Sequence, residues 1–122
     1  MFQGLRTVIH HVGDLAAAKQ WYSRAFGVEP YFDEPFYVGF QIGGFEFGLD
    51  PDMSGVAQGT NVVAYWGVTN IDEAYERMLT LGATGYNAVQ DVGGGIRVAV
   101  VTDPFGNLFG IIENPHFRNS GD

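Results

Sequence analysis

Hydrophobic and polar positions follow two rhythms along this chain, and the rhythms recur in the same order. The segment Thr7-Val-Ile-His-His-Val12 is rich in β-branched residues and reads as a strand. Apolar residues then fall at Leu15, Ala18, Trp21, Tyr22, Ala25 and Phe26. That spacing gives a helix with one broad apolar face. Asp14 is placed to cap its first turn, and Gly27 to end it in a left-handed conformation. An aromatic stretch at Tyr31-Phe32 leads to a strand from about Tyr37 to Ile42. Gly43-Gly44 reads as a two-residue hairpin turn, with Phe45 to Leu49 returning as the partner strand.

A polar, glycine-containing linker over 51–59 precedes the second pass. Val62 to Val68 reads as a strand. Asn70 with Glu73 resembles a capping box. Ile71, Ala74, Tyr75, Met78 and Leu79 form the helical face, and Gly82 is placed to close it. Thr84 to Gln90 reads as a weak strand, followed by a Gly93-Gly94-Gly95 turn. Ile96 to Thr102 and Leu108 to Glu113 are the last strands, joined by Asp103-Pro-Phe-Gly-Asn107. The Asp, Pro and Gly of that joint are ordinary turn chemistry. The pattern predicts an α+β fold: two tandem βαβββ modules, over 5–51 and 60–115, within a single domain spanning 1–122. Duplicated halves are expected to set curved sheets around a shared cleft.

Composition narrows the class. Apolar residues are 46% and charged residues 16%, which suits a packed core and not a disordered chain. Cysteine is absent, which excludes disulfides, thiolate metal sites and a Cys nucleophile. The formal net charge is −8, and the basic residues Arg6, Lys19, Arg24, Arg77, Arg97 and Arg118 are scattered. No basic stripe is present to neutralise a phosphate backbone, so no nucleic-acid partner is expected. No long apolar run or basic leader is visible, so a cytoplasmic protein with no membrane partner is expected. The acidic balance mildly favours cationic ligands, although ordinary solubility charge is the simpler reading.

Val12-Gly-Asp-Leu15, Trp21-Tyr22, Phe26-Gly27 and Asp103-Pro-Phe-Gly-Asn107 together resemble the glyoxalase / bleomycin-resistance / extradiol dioxygenase superfamily, the vicinal-oxygen-chelate proteins. The resemblance covers about residues 5 to 115. It implies paired βαβββ modules, a homodimer, and, in enzymatic members, a divalent metal on four inward side chains. Carried onto this sequence, those positions are Thr7, Gly48, Val63 and Gly110. Glycine and valine offer no ligating atom, and a neutral threonine hydroxyl is a poor anchor. A one-residue slip would bring in Phe47, Val62 or Phe109, none of which ligates. The family's metal set is therefore expected to be absent. No cofactor is expected, and a divalent metal has no support in the sequence.

Alternation along the strands supplies the inward set. Thr7 brings Ile9 and His11, Gly48 brings Glu46 and Asp50, and the hairpin sets Gln41 opposite Glu46, Gly39 opposite Gly48 and Tyr37 opposite Asp50. In the second module Val63 brings Tyr65 and Gly67. Gly110 brings Leu108 and Ile112, with Val98 and Val100 across from them. The candidate ligand-binding residues are His11, Tyr37, Gln41, Glu46, Gly48, Tyr65, Val98 and Gly110, an apolar lining with a few polar groups. Inward glycines at 39, 48, 67 and 110 leave open space or let a ligand or backbone approach; equally, they only let the sheet curve.

Each polar candidate has a plainer reading beside the functional one. His10 and His11 point to opposite faces, which makes His10 a core residue. The resemblance sets His11 where glutathione-using relatives bind substrate; a structural hydrogen bond is the alternative. His11 and Glu46 are the candidate catalytic residues, as an acid–base pair. Glu46 has two other readings: it binds a cationic ligand group, or it pairs with Arg97. Tyr31, Phe32, Phe36 and Tyr37 cap a ligand or, preferably, bury a dimer interface. Trp21, Tyr22, Phe26 and Tyr75 are core, and His116 and Phe117 lie in a surface tail.

Two functions follow. The first is metal-free binding of a small organic molecule. The alternative is a metal-independent or atypical-metal lyase or isomerase related to lactoylglutathione lyase, using His11 and Glu46. A metal centre on His11, Glu46 and a water ranks last, because two protein ligands rarely define a catalytic site.

Overall fold

In a computed structural model, which describes residues 1–117, the chain folds as two units that divide after Gln58. Arg118 lies outside the described residues. In the first unit, β1 (Thr7–His11) is followed by α1 (Leu15–Phe26), β2 (Phe32–Glu34), β3 (Tyr37–Ile42) and β4 (Phe45–Asp50). The second unit runs β5 (Tyr65–Gly67), α2 (Ile71–Thr80), β6 (Thr84–Gly93), β7 (Ile96–Thr102) and β8 (Leu108–Glu113). Each unit is thus a βαβββ module, and the class is α+β.

The two sheets share a topology, β1-β4-β3-β2 and β5-β8-β7-β6. In each, the first strand pairs in parallel with the last, and the other neighbours are antiparallel. The hairpin register follows from its turn. Gly43 and Gly44 sit at φ 58° and 90°, as a type I′ turn demands, and Ile42 pairs with Phe45. Gln41–Glu46 and Gly39–Gly48 then face each other in turn.

Alternation sorts the first sheet into two faces. His10, Val38, Phe40, Phe47 and Leu49 are buried on the side that carries α1, whose Ala18, Trp21 and Tyr22 are buried against it. Tyr22 packs on Phe47 with ring centroids 4.5 Å apart, and Phe26 meets Phe40 at 5.5 Å. His10 is a core residue, edge-on to Phe47 at 4.7 Å and 3.4 Å from the Tyr22 hydroxyl. Truncating Phe40 or Phe47 to Ala would cost about 3–5 kcal/mol. In the second unit Ala99, Val101, Phe109 and Ile111 form the buried face with Ile71 and Met78 of α2.

The caps explain why the helices start where they do. Asp14 Oδ1 accepts from the Ala17 N–H at 3.0 Å, and Asn70 Oδ1 from the Glu73 N–H at 3.2 Å. The Ile71 N–H donates to Glu113 Oε1 at 2.9 Å, so β8 satisfies a further orphan donor of α2. Arg97 joins Asp72 of α2 at 2.8 Å to Glu113 at 3.3 Å. Gly27 ends α1 as expected, at φ 72°. Gly82 ends α2 as expected: it follows the Leu81 C-cap at φ 115°, its N–H donates to the Leu79 carbonyl and the Ala83 N–H to the Met78 carbonyl, each at 3.0 Å.

Two strand extents differ from the pattern. The strand expected over Val62–Val68 is paired only at Tyr65–Gly67, where it meets β8 at the edge of its sheet. β6 runs on to Gly93, with register shifts along its pairing to β7. The Asp103 turn is structural: its buried carboxylate accepts from the Phe105 and Asn107 N–H groups, each at 2.9 Å. Among the described residues, no helix is long and apolar enough to cross a membrane.

Candidate functional site

The face of the first sheet turned away from α1 carries the chemistry. Strand pairing sets Thr7 beside Glu46, Ile9 beside Gly48 and His11 beside Asp50 on β1 and β4. On β3, Gly39 faces Gly48, and on β2 Phe32 faces Gly39. Two facing glycines make a slot one side chain deep. Tyr37 lies across it. A Cβ added at Gly48 would collide with the Tyr37 hydroxyl and sit 2.5 Å from its Cζ. One added at Gly39 would meet Glu46 Oε2 at 2.9 Å and Tyr31 Cε1 at 3.3 Å.

Through that slot Tyr37 reaches Glu46, donating to Oε1 at 3.1 Å. Tyr31 donates to the other oxygen, Oε2. Its approach is set by the backbone: the Tyr31 N–H donates to the Gly39 carbonyl at 3.0 Å, which carries the β2–β3 pairing one step further. Each carboxylate oxygen thus holds one phenol. The Thr7 hydroxyl oxygen is shielded from solvent beside them and makes no well-aligned hydrogen bond among the described residues.

The electrostatics follow from this geometry. The Tyr31 phenol holds the Glu46 carboxyl below the usual carboxylate range; burial opposes this, and the hydroxyls of Thr7 and Tyr37 add to it. Donating to the anion raises the Tyr31 phenol in return. Tyr37 is raised too, first by burial and then by Glu46, while Thr7 acts against it. At neutral pH the cluster is one carboxylate and two protonated phenols. No ion pair neutralises that carboxylate among the described residues.

Of the residues expected in a site, Tyr37, Glu46 and Gly48 are brought together. Gln41 stands opposite Glu46 in register on the same face. His11 is not part of the group. It lies four residues along β1 from Thr7, about 13 Å away at strand rise. Its Nδ1 makes a 2.6 Å hydrogen bond with the Asp52 carbonyl instead. The expected His11–Glu46 acid–base pair therefore does not assemble. Nor does Glu46 pair with Arg97, which is held by Asp72 and Glu113. In the second unit Tyr65 pairs with Gly110, Val100 also faces Gly110, and Val98 faces Ile112, as the pattern predicts.

Three of the four inward glycines are not open space. Gly48 and Gly39 are filled by Tyr37, Tyr31 and Glu46. Gly110 is covered by the Ala64 carbonyl at 2.7 Å and by the side chains of Tyr65 and Val63. Only Gly67 of the four has nothing within 4 Å. Tyr31, expected to cap a ligand or to bury an interface, was not among the residues expected to join Glu46, and the structure brings it there. The facing Gly39–Gly48 pair was the available signal, since it requires something to lie across it.

The four positions to which the resemblance carries the family's metal ligands fit no metal here. Thr7 offers one neutral hydroxyl, and Gly48, Val63 and Gly110 offer nothing. A ligating side chain at 48 or 110 would also strike Tyr37 or the Ala64 carbonyl. Among the described residues no three His, Asp or Glu side chains converge. On the α1 side of the same sheet, a groove of about 470 Å³ is bordered by Leu15, Pro35 and the Lys19–Asp33 ion pair at 2.9 Å. It is shallow and includes none of the tyrosine–carboxylate cluster, so the chemistry lies outside this groove.

Comparison with known proteins agrees with this frame. The chain is 30% identical over 112 residues to Mb0911c of Mycobacterium bovis, covering 79% of this chain and 74% of that protein. The fold matches a glyoxalase-related enzyme from Fulvimarina pelagi at a TM-score of 0.80 and 23% identity, over 99% of this chain and 95% of that one. It also matches a lactoylglutathione lyase from Agrobacterium tumefaciens at 0.73 and 22% identity, over 93% and 97%. Residues 5–111 match the profile of the Glyoxalase/Bleomycin resistance protein/Dioxygenase superfamily, and the chain belongs to that superfamily.

Proposed function

We propose that this protein binds a small organic molecule, without a metal, on the open face of its first sheet, at the cluster of Tyr31, Tyr37 and Glu46. One observation carries this reading: Tyr37 occupies the space into which a metal ligand at position 48 would project. Polar groups that converge beside aromatic walls are what a small-molecule site offers. Phe32 extends the wall, its ring 6.1 Å from Tyr37 and 6.0 Å from the exposed Phe36.

Binding is favoured over turnover by the state of Glu46. A general base works best with a pKa near the operating pH. Glu46 is shifted the other way, which makes it a weak base and a durable anion. The homodimer that the resemblance implies and the cytoplasmic setting expected from the sequence belong to the same proposal.

Two measurements test it. Titration calorimetry of Zn²⁺, Ni²⁺ and Mn²⁺ into chelator-treated protein is expected to show no stoichiometric binding. A fragment screen followed by amide NMR is expected to move the Gly39, Glu46 and Gly48 signals. Tight metal binding, or a screen in which no fragment perturbs this face, refutes the reading.

A further inference from the structure

Resting on ligand binding at this face, we propose that the ligand group bound there is a protonated amine, seated on Glu46 between the two phenols. Glu46 and its two phenols are almost wholly acceptors, with the Thr7 hydroxyl and the Gln41 amide on the same face. An ionised carboxylate has about four lone-pair directions. Tyr31 and Tyr37 take one on each oxygen, so two remain. Both phenol protons are committed to Glu46, which leaves the phenol oxygens facing a ligand as acceptors too. A carboxylate or phosphate ligand would meet like charge, and a carbonyl would find no donor on Glu46 or the phenols. An ammonium group brings three donors and the missing charge.

Among the described residues, no cation of the chain pairs with this carboxylate. Lys19 is paired with Asp33 on the helix side of the sheet. Arg97 is paired in the second unit. Arg6, next in sequence to Thr7, turns its guanidinium to Gln3 and to the Leu5 carbonyl. The aromatic surroundings suit a cation as well, since ring faces attract an ammonium within about 6 Å. Tyr31, 63% exposed, and Phe32 border the carboxylate on the solvent side, where an apolar body attached to the amine would lie.

The test uses three matched probes: 2-phenylethylammonium, 2-phenylethanol and 3-phenylpropanoate. Each is titrated into the full chain, with binding read from the Gly39 and Gly48 amide signals. The ammonium is expected to bind at least about tenfold tighter than the alcohol, equivalent to about 1.4 kcal/mol. The anion is expected to leave the face unchanged. In Glu46→Gln the ammonium-to-alcohol ratio should fall to about one. Equal binding of alcohol and ammonium to the native protein overturns the amine assignment while the face stands as a binding site. If no probe moves this face, the binding site itself is refuted. Should Glu46→Gln fail to fold, the ratio in the native protein decides alone.

Discussion

Placing a single methyl group at position 48 tests the geometry of the site directly. Gly48 has an ordinary strand conformation, so Gly48→Ala adds no backbone strain and should gain about 0.5–1 kcal/mol from the loss of glycine's freedom. The steric effect runs the other way. The new Cβ would lie 2.5 Å from Tyr37 Cζ and 2.9 Å from Cε1, closer than carbon atoms tolerate. A tyrosine ring cannot bend aside, so the whole side chain must swing out of the slot. Its hydrogen bond to Glu46 is then lost, at roughly 1.5 kcal/mol for a half-exposed bond to a charged acceptor, together with the burial of the ring. The net expectation is destabilisation by about 1–2 kcal/mol, since forced overpacking typically costs about 1–3.

Urea unfolding of four proteins reads this out: native, Gly48→Ala, Tyr37→Leu and the double variant. With Tyr37 gone, Gly48→Ala should be neutral or stabilising, giving a coupling of about 1 kcal/mol or more. Gly67→Ala is the control, because nothing lies within 4 Å of a Cβ there. It should be neutral or gain about 0.5 kcal/mol. If Gly48→Ala costs nothing, or costs the same with and without Tyr37, the slot does not hold the tyrosine and the case against a ligating side chain at 48 fails.

Three further outcomes follow from the same contacts. Tyr31→Phe should raise the Glu46 carboxyl pKa, because the largest influence holding it down is removed; carboxyl ¹³C NMR titration checks this, and an unchanged value refutes it. The folded-state pKa of Glu46 lies below its unfolded value, so its stabilising contribution is present above the usual glutamate range and is lost as pH falls through the folded pKa. Tyr31 and Tyr37 are raised, so theirs is present below the usual tyrosine pKa and lost as pH climbs through their folded values. Melting temperatures across pH should therefore fall on both limbs, with both falls shallower in Glu46→Gln. Glu113→Ala should cost about 1 kcal/mol by denaturant unfolding, because it removes the acceptor for the Ile71 N–H at the start of α2.

The frame was legible in the sequence because local signals and long-range ones agreed. Asp14 and Asn70 cap helices where the apolar spacing begins, and Gly43-Gly44 fixes a hairpin register that carries Gly39 opposite Gly48. Gly82 likewise closes α2, taking the positive-φ position after Leu81 that a glycine accepts without strain. The site was half legible. Alternation found the face that holds Thr7, Tyr37 and Glu46, but alternation cannot say how far along a strand two side chains lie. His11 and Glu46 share a face and still stand about 13 Å apart. Tyr31 precedes its strand, so no period placed it, and only the backbone bond to Gly39 turns it onto the sheet.

The repeat also explains why the chemistry sits in one module. Strand pairing makes Gly110 the counterpart of Gly48, and then Leu108, Ile112 and Val98 stand where the first unit has Glu46, Asp50 and Tyr37. Both glycines are occupied, but by different things. At Gly110 the occupant includes the Ala64 carbonyl, which accepts the Gly110 N–H at 3.1 Å and cannot leave without breaking the start of the β5–β8 pairing. At Gly48 the occupant is a side chain held by one 3.1 Å hydrogen bond. A backbone plug cannot move without unpairing a strand, whereas a phenol can swing on its own side-chain torsions. The glycine therefore admits a fixed backbone group in one module and a movable side chain in the other.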